Sequence, residues 1–190
     1  FADGETAALS NIPSAARVGD LVAAAPVNSS SYAVRTIPEV GGGMVVMEPQ
    51  TGRVIAVQGG FDSGIDSFNR GIQAMRQPGS TIKPFMGLAG LESGLRKPGD
   101  RILSTGVFRI HGGGRGFGDS HAGGHGWVDL KESIAQSVNT YYYQLALDMG
   151  IARVDEYMSR YGFGKPTGID LIGESSGILP SPEYKRTRFQ

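Results

Sequence analysis

Apolar and polar positions along the chain fall into order from about residue 37 onward. Gly43-Met-Val-Val-Met-Glu48 and Arg53-Val-Ile-Ala-Val-Gln58 are two short apolar runs. The turn Pro49-Gln50-Thr51-Gly52 between them predicts a β-hairpin, and Gly59-Gly60 ends it. After the breaker Gln77-Pro78-Gly79, residues 80–92 read as a helix, with Ser80 as its N-cap or a first-turn residue. Pro84 is tolerated only because it falls near the first turn. Gly87, Gly90 and Gly94 recur at helical spacing, and each weakens the helix by ~1 kcal/mol relative to Ala. A helix that accepts them is expected to be buried, with its backbone close to its neighbours. Residues 98–126 read mostly as loop. A second helix is expected over 130–136, interrupted by Ser137-Val138-Asn139, and a third over 140–149, stopped at Gly150. Ile151, Val154 and Met158 mark a fourth, stopped at Gly162. Residues 1–36 lack a clear period. A strand is expected within 18–26 and a turn at 28–31, and the segment reads as a linker or the end of a preceding module. The tail after Leu171 is Pro-punctuated, and Lys185, Arg186 and Arg188 read as a solvated end.

Composition narrows the class. The 190 residues are 39% hydrophobic and 19% charged, enough apolar content for a core. Lys+Arg and Asp+Glu number 18 each, so no electrostatic footprint for nucleic acid is present. With no Cys, a disulfide scaffold, a thiolate metal site and a cysteine nucleophile are excluded. The longest apolar runs are too short to span a bilayer, and no basic-then-apolar leader opens the chain, so any targeting segment is expected outside it. Glycine is in excess, 30 of 190 residues, with eight of the sixteen residues 111–126 being Gly.

Candidate chemistry centres on Ser80-Thr81-Ile82-Lys83. Residues three apart share a helix face, which brings the Lys83 amine within reach of the Ser80 hydroxyl. A serine is a weak nucleophile until a base takes its proton, and lysine can be that base only if its pKa is lowered. Alone, this spacing usually means a capping serine and a surface lysine. Ser137-Val138-Asn139 adds to it: in an extended loop the two outer side chains point the same way. A hydroxyl and a carboxamide would then face one cleft. The plainer alternative is a helix-breaking turn that caps the helix at Thr140. In this order, 57 residues apart, the two motifs are far more specific than either alone.

These residues resemble the transpeptidase domain of penicillin-binding proteins, the serine enzymes that cross-link peptidoglycan. The resemblance covers residues 37–190. It rests on Arg76-Gln-Pro-Gly-Ser-Thr-Ile-Lys-Pro-Phe85, on Gly124-His-Gly-Trp-Val-Asp129 with Ser133-Ile-Ala-Gln-Ser-Val-Asn-Thr-Tyr-Tyr-Tyr-Gln144, and on Tyr161-Gly-Phe-Gly164 with Thr167-Gly-Ile-Asp-Leu171. Residues 17–90 look most like the bifunctional class A enzymes, and residues 125–190 like the class B elongation transpeptidases. The resemblance implies an α+β fold, an antiparallel sheet with packed helices, of which 37–190 would be the front portion. It implies acyl transfer on D-Ala-D-Ala stem peptides. Ser80 would be the nucleophile, Lys83 its base, Ser137 the proton relay to the leaving group, and Asn139 the holder of the peptide backbone. β-Lactam antibiotics would trap Ser80. Cell-wall elongation or division proteins would be partners, at the cell envelope, with no metal or organic cofactor. The family's third motif, Lys-Thr-Gly or Lys-Ser-Gly on a strand, is missing from these residues; Gly164-Lys165-Pro166-Thr167-Gly168 only mimics it. An inactive cell-wall binding or scaffold fragment and a β-lactamase-like hydrolase stay open beside the transpeptidase.

Other candidates carry less. His121 and His125 are four apart, but Gly123 and Gly124 argue against a helix and no carboxylate pair completes a metal set with them or His111. Residues 112–118 lack the strand and the Lys-Ser/Thr ending of a phosphate loop. Of Tyr141, Tyr142 and Tyr143, one is expected to be buried. Trp127 is expected to wall a cleft or pack in the core.

Overall fold

The structure is a computed structural model that describes residues 8–20, 22–35, 38–61, 64, 67–110 and 114–188. Ile37, where the organised part was expected to begin, and His111 lie outside the described residues. The chain divides into two compact units, residues 1–74 and 75–190.

In the first unit, β1 (Ala8–Ser10), β2 (Ala23–Asn28) and β3 (Ser31–Arg35) form a sheet in the order β1-β3-β2. β2 and β3 are the antiparallel arms of a hairpin, and β1 joins β3 in parallel. Asn28 Oδ1 accepts the Ser30 N–H at 3.0 Å and closes the expected turn. Pro26 is tolerated because β2 is an edge strand with a bulge at Pro26/Asn28. The second hairpin is as expected: β4 (Met44–Met47) pairs antiparallel with β5 (Val54–Gln58). Gly52, at φ 72°, donates its N–H to Glu48 O at 2.8 Å and makes the turn. The hairpin is largely uncovered, with Met44 60% and Ile55 68% exposed.

The second unit holds the four candidate residues. A 3₁₀ turn, Gly79–Ile82, runs into α1 (Lys83–Glu92). Ser80 therefore lies in a tight lead-in turn rather than at an α-helical N-cap. Then come β6 (Ile102–Ser104), β7 (Val107–Phe108), β8 (Phe117–Gly118) and β9 (Gly126–Val128), with β6 paired to β9 and β7 to β8. These two ribbons occupy the stretch expected to be mostly loop; at two or three residues per strand they are too short to show a period of two. α2 (Leu130–Ala135) starts on a capping box, with Glu132 N donating to Asp129 Oδ1 at 2.9 Å and Asp129 N to Glu132 Oε2 at 3.0 Å. α3 (Asn139–Arg160) contains both the third and fourth expected helices, run together across a single non-helical residue, Gly150 (φ 70°, ψ 158°). α4 (Pro182–Arg188) makes a helix of the tail read as a solvated end. Its sequence signal was Ser181-Pro182: Ser181 Oγ accepts the Tyr184 N–H at 3.0 Å, and proline suits a first helical position.

The core lies where α1, α2 and α3 meet, around Met86, Ala89, Val128, Val138, Tyr141 and Leu145. The close approach expected of the α1 glycines holds at two of three. A Cβ on Gly87 would stand 2.8 Å from Leu130 Cδ1, and one on Gly90 3.0 Å from Leu145 Cδ1. A Cβ on Gly94 would meet nothing within 4 Å, and that glycine instead ends α1 in the left-handed region, at φ 73°. Tyr141 and Tyr142 are both buried, not one of the three. Trp127 is 61% exposed, which removes it from the core.

Candidate active site

All four residues meet at the start of α1 and the α2–α3 junction. Side chains three apart eclipse in a 3₁₀ turn, so Ser80 and Lys83 come off the same side of the chain. Ser80 is exposed, whereas Lys83 is only 6% exposed. The Lys83 ammonium donates to Ser137 O at 2.6 Å, Ser137 Oγ at 2.9 Å and Asn139 Oδ1 at 2.6 Å. Those are the three donors an ammonium has. Its open side lies 5.6 Å from the centre of the Tyr142 ring. Ser137 Oγ in turn donates to Ser80 Oγ at 2.8 Å. The result is an unbroken chain, Ser80 hydroxyl to Ser137 hydroxyl to Lys83 amine. Hydroxyl protons rotate, so the chain conducts in either direction.

The backbone that offers Ser137 and Asn139 is not the extended loop expected. Ser137 N–H bonds Ile134 O at 3.2 Å and Val138 N–H bonds Ser133 O at 2.9 Å. This pair of bonds is a Schellman ending of α2, with Ser137 in the left-handed position at φ 54°. Glycine is usual there, and a residue with a Cβ is strained by about 1–2 kcal/mol. That conformation turns both the carbonyl and the hydroxyl of Ser137 toward Lys83. Val138, fully buried, fixes the junction from inside. α3 starts at once with Asn139.

The start of α3 is held by a residue the sequence reading missed. Val138 at its N-cap makes no side-chain bond. Asp119, just past β8, does it from outside. Its Oδ1 accepts the Asn139 N–H at 2.7 Å, and its Oδ2 accepts the Thr140 N–H at 3.1 Å and the Thr140 hydroxyl at 2.6 Å. Burial works to raise the Asp119 pKa. The bonds from Thr140, Asn139 and Ser120 outweigh it and bring the carboxyl to about 2, so it is an anion at the helix N-terminus. Burial holds the Lys83 amine below the usual lysine range, while the Asp119 charge pulls the other way. The available signal was a lone acid inside a glycine-rich stretch, and nothing local links it to residue 139.

His125 is bound by Ser120 Oγ at 3.1 Å on Nε2 and Gln136 Oε1 at 2.9 Å on Nδ1. Among the described residues no group of His, Cys, Asp or Glu is placed to hold a metal ion. Lys165-Pro166-Thr167-Gly168 is not strand: Glu174 draws in the Thr167 N–H at 2.8 Å, the Thr167 hydroxyl at 2.6 Å and the Gly168 N–H at 3.3 Å.

The family model for the penicillin-binding protein transpeptidase domain matches residues 42–189. The chain belongs to the penicillin-binding protein transpeptidase family. A family relative, peptidoglycan D,D-transpeptidase MrdA of Acinetobacter baumannii, is 36% identical over 169 residues, covering 77% of this chain and 25% of the relative. Pseudomonas aeruginosa PBP2, solved in complex with WCK 5153, superposes with a TM-score of 0.72 at 34% identity, over 79% of this chain and 39% of that one. PBP2 of Helicobacter pylori, solved in a complex with MreC, superposes with a TM-score of 0.69 at 28% identity, over 78% of this chain and 32% of that one. The chain thus has the α+β transpeptidase fold expected of it. It spans about a quarter of the length of the MrdA relative.

Proposed function

We propose that this chain carries the serine acyl-transfer centre of a peptidoglycan D,D-transpeptidase. Ser80 Oγ attacks the carbonyl between the two D-alanines of a stem peptide. Its proton passes through Ser137 Oγ to Lys83 Nζ, which must enter the cycle as the neutral amine. Burial favours that form. A neutral amine keeps two N–H donors and one lone pair, and Ser137 Oγ is the partner at which the lone pair receives a proton. As the C–N bond breaks, Ser137 delivers the proton to the departing D-Ala nitrogen. An amine of a second stem peptide, or water, then resolves the ester and frees Ser80. Asn139 holds the peptide backbone. Its Oδ1 serves Lys83 and its Nδ2 donates to Gly118 O at 3.1 Å, which leaves one acceptor site and one N–H for substrate.

β-Lactams enter the same reading as acylating agents of Ser80. The Helicobacter PBP2 complex supports, for this chain, a cell-wall partner of MreC's kind at the cell envelope. Among the described residues no helix is long and apolar enough to cross a membrane. Residues 1–36 are read as a linker or the end of a preceding module, and residues 37–190 as the front portion of the transpeptidase domain. A catalytically inactive cell-wall binding or scaffold role is the second reading, and the adduct experiment below separates the two.

The observation that carries the proposal is the chain of 2.8 and 2.9 Å bonds from Ser80 through Ser137 to Lys83. Intact mass after incubation with a penicillin tests it, run beside Ser80→Ala. One adduct that the variant lacks is expected. A folded chain with no adduct means the inactive role, and antibiotic turnover without a lasting adduct means a hydrolase.

A further inference from the structure

We propose that Asp119 is the positioning residue of this site: its carboxylate pins the first two residues of α3 and so holds Ser137 and Asn139 against Lys83. The inference deepens the function proposed above and rests on it for its effect on rate.

Five donors converge on the two Asp119 oxygens. Three come from Asn139 and Thr140; the others are Ser120 N–H on Oδ1 at 2.9 Å and Ser104 Oγ on Oδ2 at 2.9 Å. Asn139 is thereby held twice by one short segment, through its N–H by Asp119 and through Nδ2 by the Gly118 carbonyl. Its Oδ1 is left aimed at Lys83. A serine or threonine at position 138 would cap α3 equally well, but it would not tie the helix to the end of β8. The glycine-rich stretch explains how Asp119 comes to this spot. Asp119 N–H bonds Gly106 O at 2.9 Å. Beside it, residues 104–106 and 122–124 cross at backbone contact. A Cβ on Gly106 would lie 2.2 Å from Ala122 O, and one on Gly124 2.3 Å from Ser104 O. Both have positive φ, 86° and 76°. Only glycine permits that crossing, and the crossing sets the height at which Asp119 meets α3.

The test uses the chain as it stands, with Asp119→Ala and Asp119→Asn. Penicillin acylation is followed by intact mass and resolved into a saturating rate and a half-saturating concentration. Backbone hydrogen exchange is read at residues 137–140 and across α1. Loss of registration at the reacting groups is expected to lower the saturating rate of the Ala variant about 100-fold, with little change in half-saturation. The Asn variant keeps acceptor oxygen and is expected to fall in between. Exchange should rise at 138–140 while α1 stays protected. Unchanged rate and exchange in Asp119→Ala overturn the proposal. So does loss of protection throughout the unit, which would make Asp119 a residue of the fold alone. If the unmodified chain forms no adduct, the functional reading fails by itself. Exchange then decides whether Asp119 holds the junction, and retained protection at 138–140 in the Ala variant overturns it.

Discussion

Ser137 stands at a helix ending where glycine is usual, at φ 54°, and its hydroxyl lies between Ser80 and Lys83. Comparing Ser137→Gly with Ser137→Ala separates the two facts. Both variants lose the same hydrogen bonds to Ser80 and from Lys83, so those terms cancel between them. What differs is the Cβ. The left-handed region costs an alanine about 1–2 kcal/mol. Glycine gives back roughly 0.5–1 kcal/mol through the entropy of the unfolded chain. Ser137→Gly should therefore be more stable than Ser137→Ala by about 0.5–1 kcal/mol, or about 2–4 °C in melting temperature for a unit of this size. Against the unmodified protein, the net relief of about 0.5–1 kcal/mol does not cover two lost hydrogen bonds of about 1 kcal/mol each, so the Gly variant should be less stable than it by about 1–1.5 kcal/mol. Thermal and urea unfolding at neutral pH measure the difference, and penicillin intact mass reads the chemistry. Neither variant should acylate at the unmodified rate. An Ala variant as stable as the Gly variant refutes the strain at Ser137. A normal acylation rate in either refutes the relay.

Two further outcomes follow from Asp119 and the loops that place it. Its folded pKa of about 2 lies below the ordinary 3.8, so the stability it supplies is full above about pH 4 and is lost as pH falls through about 2. The contribution is at most about 2 kcal/mol and less after solvent screening. Urea midpoints between pH 5 and pH 2 should fall more steeply for the unmodified chain than for Asp119→Asn, and parallel curves would contradict the assignment. Gly124→Ala places a Cβ 2.3 Å from Ser104 O at positive φ, and should destabilise on the order of 2 kcal/mol by chemical denaturation. A change within about 0.5 kcal/mol would show that the crossing is not tight.

The sequence by itself determined what depends on neighbours in the chain. Ser80 and Lys83 share a side because the backbone repeats every three to four residues, whether the turn is 3₁₀ or α. The β4–β5 hairpin was legible from two apolar runs and a turn, and the break at Gly150 from the freedom of one glycine. The motif Ser137-Val138-Asn139 was legible as a second partner, but not its shape. Its left-handed serine follows from where α2 must end and α3 begin, and that depends on Val138 being buried. β6 to β9 were too short to announce themselves. Only the tertiary structure joined Lys83 to Ser137 across 54 residues and Asp119 to Asn139 across 20. No local rule reaches that far. Closing such loops costs chain entropy that only the packed α1–α2–α3 core and the glycine crossing repay. The reacting groups were therefore readable in the sequence, and the geometry that lets a proton pass among them was decided by packing.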